Sequence, residues 1–415
     1  MDGSPACPAN SGGFREALAL SAGIMEPRTA SNYFTLQTIR DLSEVESLRE
    51  VWKSWQKTRD SDLDFFSDLV RSRGEGCRPH VIVLSRNSRP DALLVGFNDR
   101  RKVPIRFGSL TIHRPELSVL EFVYGGLLGN ASKENCTALV QAVMRSLADG
   151  DADLALWKQI DVQSDLYTCA LQLPSVVLRD HSRCLRDHWF MNIPQGLDAF
   201  LLSLGPRQRS KLRRKYQRVL NSFSERVQVR SFRAIADLKQ AISDMEEIAR
   251  KSVKRQLGYG FFDTAQTREQ LLHEATRGWL RIYILYVDKN PVAFWKGTLY
   301  ERCLQPDHTA FDSDWSAFSP GIFLFLHILE NLHDEDVKTV DFGSGNGQLY
   351  HRFGNMHLRE ARVQICAPKL RALQFHLLYT LTHHVTLLVR RASFLNWARR
   401  IVWKKRQAAA LARRG

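Results

Sequence analysis

Two glycine-bearing turns hold the residue types best suited to chemistry. The first, Ser319-Pro320-Gly321, follows a loop after Asp312 and opens an apolar segment, Ile322 to Leu332, that reads as a helix. The N–H groups at a helix start have no partner within the helix and sit at the positive end of its dipole. Gly321 to Leu324 therefore suit a pyrophosphate, and Gly321 lets a ligand approach the backbone closely. The second turn, Asp341-Phe342-Gly343-Ser344-Gly345, ends an apolar strand from Val337 and leads to Tyr350 and His351. Asp312, Asp341, His308 and His351 are the titratable groups at these turns, and histidine titrates nearest neutrality.

A third stretch, Pro206 to Arg218, carries seven cations and no acid. On a helix, Leu212, Tyr216 and Leu220 form the packed stripe and the cations flank it. Such a segment either captures a phosphorylated ligand through forked Arg contacts or is a solvated basic face. His181, Cys184 and His188 lie close together, but their spacing fits no zinc pattern and a fourth ligand is missing nearby. No metal is expected, and 180–188 reads as a polar connector.

The elements that must position these residues follow from hydrophobic periodicity. From Tyr33 the pattern is helical, with Leu42, Val45, Leu48 and Val51 on one side and Trp52 and Trp55 as core anchors. His80 to Leu84 and Ala92 to Phe97, joined by a polar turn, predict a hairpin. Strands follow at 103–107 and 119–124, then a helix from Lys133 to Leu147 and a strand from Asp153 to Trp157. The second half repeats this order: a strand at Val227 to Phe232, helices at 235–256 and 267–279, strands at 281–287, 292–300 and up to Phe311–Asp312, the helix after Gly321, and a strand ending at Phe342.

A chain of 415 residues, 44% hydrophobic, accommodates two or three cores. Much of the net charge of +15 lies in residues 361 to 415, with twelve Lys or Arg and no Asp or Glu, so a local anionic partner is expected and DNA is not. Seven scattered cysteines without a Cys-x-x-Cys pair predict a reducing, cytoplasmic compartment. Residues 1–30 read as a disordered lead without a secretory signal. In the tail, residues 372 to 389 contain Gln374, His376, His383 and His384 and are too polar to span a bilayer. Arg390 to Arg406 mixes cations with tryptophans, which fits either a helix lying on the anionic inner membrane or one packed on the protein.

Ser210 to Lys215, the Asp312 to Gly321 passage, and Asp341-Phe342-Gly343 with Gly345 and Tyr350 to Gly354 resemble the GNAT superfamily. From Tyr33 to Cys366 the chain resembles its double-domain branch associated with cellulose and exopolysaccharide synthesis (CelD-like proteins), related to the FemAB peptidyltransferases. The resemblance implies an α/β protein of two tandem GNAT-like acyltransferase domains, 31–185, non-catalytic, and 186–366, catalytic, followed by a basic helical tail at 367–415. It implies acyl-CoA, chiefly acetyl-CoA, as co-substrate, held by Ser319, Pro320, Gly321, Ile322, Phe323, Gly343 and Gly345 between splayed strands. The acceptor is an amine or hydroxyl of a sugar or envelope precursor, met by Arg213, Arg214, Trp295 and Lys296. Acyl transfer needs a base, an oxyanion stabiliser and an acid. Asp312 is expected as base or acceptor-orienting residue and Tyr350 as the acid at the superfamily's usual position; Asp341 fixes its loop and His351 stands in.

Phe318-Ser319-Pro320-Gly321-Ile322 keeps one glycine where the superfamily loop has two. The FemAB relatives use aminoacyl-tRNA, so that donor is the alternative, as is a binding module with a decayed groove. The Asp341-x-Gly343-x-Gly345-x-Gly347 turn also matches methyltransferases that bind S-adenosylmethionine. It lacks the acid about twenty residues on that such a turn uses.

Overall fold

The computed structural model describes residues 34–411 apart from 109, 183 and 345–352, with 331, 333, 334 and 392–411 described in their backbone alone. The predicted lead, and Gly345, Tyr350 and His351, lie outside the described residues.

Among the described residues twelve strands form one sheet. They are β1 (Phe34–Ile39), β2 (Arg78–Arg86), β3 (Arg89–Lys102), β6 (Glu116–Gly129), β7 (Leu154–Asp161), β8 (Cys184–Asn192), β9 (Val227–Phe232), β10 (Leu280–Val287), β11 (Asn290–Tyr300), β12 (Cys303–Phe311), β13 (Thr339–Ser344) and β14 (Met356–Cys366). A separate hairpin joins β4 (Ile105–Phe107) and β5 (Leu110–His113). The sheet order is β1-β2-β3-β6-β7-β14-β8-β13-β12-β11-β10-β9. Read from either edge inward the pattern is the same: four antiparallel strands, a parallel neighbour, and then a strand contributed by the other half of the chain. β8, which follows the first half, pairs with β13, whereas β14, from the end of the second half, pairs with β7. An antiparallel β8–β14 seam, Arg362 opposite Cys184 through Met356 opposite Phe190, joins the halves. With β8 counted as the sixth sheet strand of the first half, which moves the boundary between the halves from residue 185 to about Asn192, the two halves have exchanged their sixth strands.

The expected α/β class, with two halves of like element order and a helical tail, is what the structure has. Among the described pairings only β6–β7 and β12–β13 are parallel, and each pairs over a few residues before the strands diverge: Val119–Phe122 with Leu154–Trp157, and Cys303–Leu304 with Thr339–Val340. These described pairings do not make a doubly wound, mostly parallel sheet, so the Asp341 turn has no methyltransferase context.

Several predicted elements shift for identifiable reasons. Residues 34–39 begin as a strand rather than a helix; β1 is a largely exposed edge strand whose polar residues hide its alternation. The hairpin forms as predicted, turning through Asn87 and Ser88 at φ 49° and 62°, the left-handed region that such turns need. The helix predicted over 235–256 divides into α8 (Leu238–Arg250) and α9 (Val253–Gln256), because the Ser252 side chain caps the second piece by accepting from Arg255 N–H. The connector at 180–188 is largely strand: β8, whose Arg186 and Asp187 disguise it, runs through the sheet centre. β14 has no counterpart among the predicted elements.

Each half packs helices on both faces. α1 (Leu42–Glu46), α2 (Arg49–Trp55) and α3 (Leu63–Ser72) bury Val45, Trp52 and Phe66 against one face of β2 and β3. On the other face, α4 (Lys133–Asp149) and α5 (Asp165–Gln172) share a core with β2, β3, β6, β7 and Ala361, Val363 and Ile365 of β14. In the second half, α8 and α10 (Ala265–Thr276) cover one face of β9 to β11. α6 (Gly196–Ser203), α7 (Pro206–Phe223) and α11 (Pro320–Asp334) share the opposite core with β10 to β13 and Met191 of β8. α11 buries Phe323, Leu324, Phe325, Leu326, Ile328 and Leu329, as expected of a central helix, and leaves Glu330 exposed. The tail is one helix, Leu370–Leu411, whose Phe375 packs with Val103, Ile105, Leu154 and Leu156 of the first half.

Candidate active site

Where β12 and β13 part, the N-terminus of α11 faces a cavity of about 330 Å³ lined by Trp295, Thr309, Phe311, Ser319, Gly321 and Ile322, with Ser252 to Lys254 across from them. Ser319 ends the turn Ser313–Phe318 in the left-handed conformation (φ 55°, ψ 53°). The donors of the helix start are fewer than the sequence suggests. Pro320 has no N–H, and those of Ile322 and Phe323 both return to Ser319 O at 3.0 and 3.2 Å. A Cβ on Gly321 would meet only Phe311, at 3.7 Å, so packing alone does not demand a glycine there.

α7 adds positive charge at the same turn. Its stripe of Leu212, Tyr216, Val219 and Leu220 packs on the second core, with Tyr216 stacked on Phe323 at 4.9 Å. That seating directs Lys215 Nζ to Ser319 Oγ (2.8 Å) and the Arg218 guanidinium to Ala317 O (3.2 Å). Arg209 instead caps the end of α6 by donating to the carbonyls of Leu201, Leu202 and Leu204, of which Leu201 O also accepts from Leu204 N–H at 3.3 Å. Arg213 reaches Asp198 (3.4 Å) and Arg214 its own helix at Ser210 O (3.4 Å), both exposed. Of this basic segment, Lys215 and Arg218 touch the α11 turn.

On the opposite wall, Lys254 Nζ donates to Thr309 O (2.7 Å) and Thr309 Oγ1 (3.0 Å), and burial lowers its pKa. An ammonium has three donors, so one remains for the cavity. Trp295 lines the cavity, whereas Lys296, next along β11, points into the opposite layer. There it is buried between Glu274 (2.7 Å) and Asp307 (2.5 Å), with Arg59 of the first half reaching the same Asp307. The Asp312 carboxylate accepts from Asp314 N–H (3.1 Å) and lies 3.6 Å from Lys251, which ties it to the turn that presents Ser319.

Asp341 belongs to a buried cluster that the sequence did not announce. His188 of β8, 2% exposed, holds Asp341 Oδ1 at 2.5 Å through Nε2 and Glu360 Oε1 of β14 at 2.8 Å through Nδ1. Burial alone would lower the imidazole pKa, but the hydrogen bonds and charges of Asp341 and Glu360 outweigh it and raise the pKa to about 9. Asp341 also accepts from Gly343 N–H (2.7 Å) and Gln305 (3.1 Å), and Glu360 from Gln159 (3.1 Å). Gly343 takes φ 76° at a bulge in β13, which turns its N–H onto that carboxylate. Phe190 stacks on the His188 ring at 4.4 Å and Tyr124 at 5.6 Å. A protonated imidazole between two carboxylates therefore pins β8, β13 and β14 together. His181 turns away to Val176 O (2.7 Å), and among the described residues no group of three His, Cys, Asp or Glu side chains is arranged to hold a metal ion. The apolar Trp189-Phe190-Met191 run after His188 was the one available hint that this stretch is a strand.

Residues 206–352 match the model of the acetyltransferase (GNAT) domain family. Among solved structures, FemX is similar with a TM-score of 0.50 at 10% identity, covering 80% of this chain and 96% of FemX. A conserved protein of unknown function from Bacteroides thetaiotaomicron has a TM-score of 0.48 at 12% identity, covering 80% of this chain and 100% of its own. A tandem GNAT protein from the clavulanic acid biosynthesis pathway has a TM-score of 0.45 at 9% identity, covering 81% and 99%. The search among curated proteins gave no match. The matched segment lies in the second half and runs from the start of α7 past the α11 turn and Asp341.

Proposed function

We propose that this protein transfers an acyl group from acyl-CoA, bound along the β12–β13 gap of the second half, to an amine or hydroxyl of an envelope or exopolysaccharide precursor. The observation that carries the reading is the cavity at the α11 start with Lys215 and Arg218 beside it. The proline leaves few backbone donors for a pyrophosphate, and the two side-chain cations supply the charge instead. In this reading the acceptor attacks the thioester carbonyl and gives its proton to solvent water, the C–S bond breaks, and the thiolate takes a proton from Tyr350, with His351 as its substitute, and solvent then restores that proton. The free N–H of Lys254 faces the developing oxyanion. Asp312 serves as a positioning residue through the Ser313–Phe318 turn, and Asp341 through His188. Trp295 bounds the acyl end, and Arg213 and Arg214 meet the acceptor or the outer part of the carrier.

Calorimetric titration with acetyl-CoA, longer acyl-CoAs and S-adenosylmethionine tests this. We expect acyl-CoA alone to bind and the Lys215→Ala/Arg218→Ala variant to lose most of the affinity; binding of S-adenosylmethionine alone would end the proposal.

A second reading, an aminoacyl-tRNA donor, draws on the row of exposed cations along α7, Arg207, Lys211, Arg213, Arg214 and Arg218. It requires tRNA binding whose logarithm falls steeply and linearly with that of salt concentration.

The tail helix favours a peripheral membrane location. Its 42 residues extend about 63 Å, and Leu377, Leu381 and Leu388 are 61%, 53% and 63% exposed on a segment free of acids. Among the described residues no helix is long and apolar enough to cross a membrane.

A further inference from the structure

At the seam between the halves, near the end of β13, a second cavity of about 530 Å³ opens. Arg101, Lys102, Lys158, Arg186 and Arg362 line it, brought from β3, β7, β8 and β14, and its floor is the apolar Val119, Leu154 and Leu156. Five cations converging from four strands is an arrangement that self-repulsion opposes. Glu121 offsets part of it, meeting Arg101 and Lys158 at 2.5 Å each, and Asp99 meets Arg101 at 3.3 Å. Among the described residues, no carboxylate forms an ion pair with Lys102, Arg186 or Arg362. Arg362 is held in place by Tyr379 of the tail helix, whose ring lies 5.6 Å from the guanidinium, and its Nε–H is buried with no acceptor. A buried donor without a partner is costly, so a missing acceptor belongs there. Ser344 Oγ, fixed by Gln159 at 2.9 Å, adds a neutral polar group at the rim.

We propose that this cavity is a second binding site, separate from the acyl-carrier groove, for a molecule that bears phosphate. Arg186, Arg362 and Lys102 would meet the phosphate oxygens, and the apolar floor would carry the ring or chain attached to them. Forked guanidinium donors suit a phosphate, and a diphosphate matches the number of cations left without acids. Naming this ligand as the acyl acceptor rests on the acyltransfer reading above; the anion site itself does not. Ser344 ends the strand whose departure from β12 forms the acyl groove, so both sites are served by β13.

The test uses calorimetry on the full chain with inorganic pyrophosphate, uridine diphosphate and phosphatidylglycerol vesicles as probes. Pyrophosphate and uridine diphosphate should bind. Arg186→Gln/Arg362→Gln should weaken both at least about tenfold, since each removes a charge-assisted contact, while acetyl-CoA affinity stays as in the wild type. Lys102→Gln, at an exposed position, should weaken them without risk to the fold. Binding to phosphatidylglycerol vesicles alone, lost in the same variants, would identify a lipid headgroup as the source of the phosphate. Absence of binding to all three probes overturns the site, as does binding that these variants leave unchanged or that Lys215→Ala abolishes instead. Pyrophosphate binding through the cavity with no acetyl-CoA binding would keep the anion site and remove the donor assignment.

Discussion

Replacing His188 with glutamine should remove a pH-dependent part of this protein's stability, and the expected size follows from the geometry. The imidazole is 2% exposed, shared between Asp341 and Glu360, and its pKa is raised to about 9 from an ordinary value near 6.5. A group whose folded pKa lies above its unfolded one contributes stability that is complete below the unfolded value and is lost as pH rises through the folded value. A separation of this size corresponds to about 3 kcal/mol, present near pH 6.5 and gone by about pH 10. The substituted amide would keep one hydrogen bond but no charge, leaving two buried carboxylates facing each other. Breaking one member out of a buried ion cluster costs roughly 3–5 kcal/mol. Urea unfolding of wild type and His188→Gln at a series of pH values between 6.5 and 10 measures the difference directly. The gap should be largest at the acid end and shrink by about 3 kcal/mol toward pH 10. Parallel stability profiles would refute the reasoning, because they would mean that the ring is neutral throughout.

Three other outcomes are expected. Tyr350→Phe should lower kcat with little change in acetyl-CoA affinity, read by steady-state kinetics and calorimetry together; unchanged kcat would remove Tyr350 from the reaction. Lys254→Met should reduce kcat by about two to three orders of magnitude while acetyl-CoA still binds, as fits loss of a single oxyanion donor, and an unaltered kcat would leave Lys254 a structural tie to Thr309. Ending the chain at residue 391 should abolish flotation with anionic liposomes and spare acetyl-CoA binding; equal flotation of both forms would mean that the helix beyond residue 391 makes no lipid contact.

Most elements of both halves were legible because their periodicities are strong. The run from Leu280 to Val287 and the stripe on α8 are examples in which burial and sequence pattern agree. The turn at Ser319 to Gly321 was legible as a helix start because proline and glycine mark it. β8 and β14 were not. Both carry charged residues at the sheet centre, and Arg186, Glu360 and Arg362 read as surface until long-range strand pairing brings them together. The same holds for the His188 cluster and the cationic cavity: their members come from positions as distant as 101 and 362, and no local spacing encodes such a meeting. The role of Lys215 and Arg218 among seven neighbouring cations was likewise set by which side of α7 packs, not by composition.

The exchanged sixth strands also bear on how the protein is made. β7 ends at Asp161, but its sheet partner β14 begins at Met356. At synthesis rates of about 5–20 residues per second, the intervening chain takes roughly 10–40 s to appear. For that interval the first half, otherwise complete, presents a naked strand edge, the kind of surface that invites neighbouring nascent chains to pair. β8 emerges soon after β7 and is the nearest strand able to shield that edge. Maturation would then end with β8 handing its place to β14 and moving to β13, an exchange that a ribosome-bound chain stopped before residue 356 should never make.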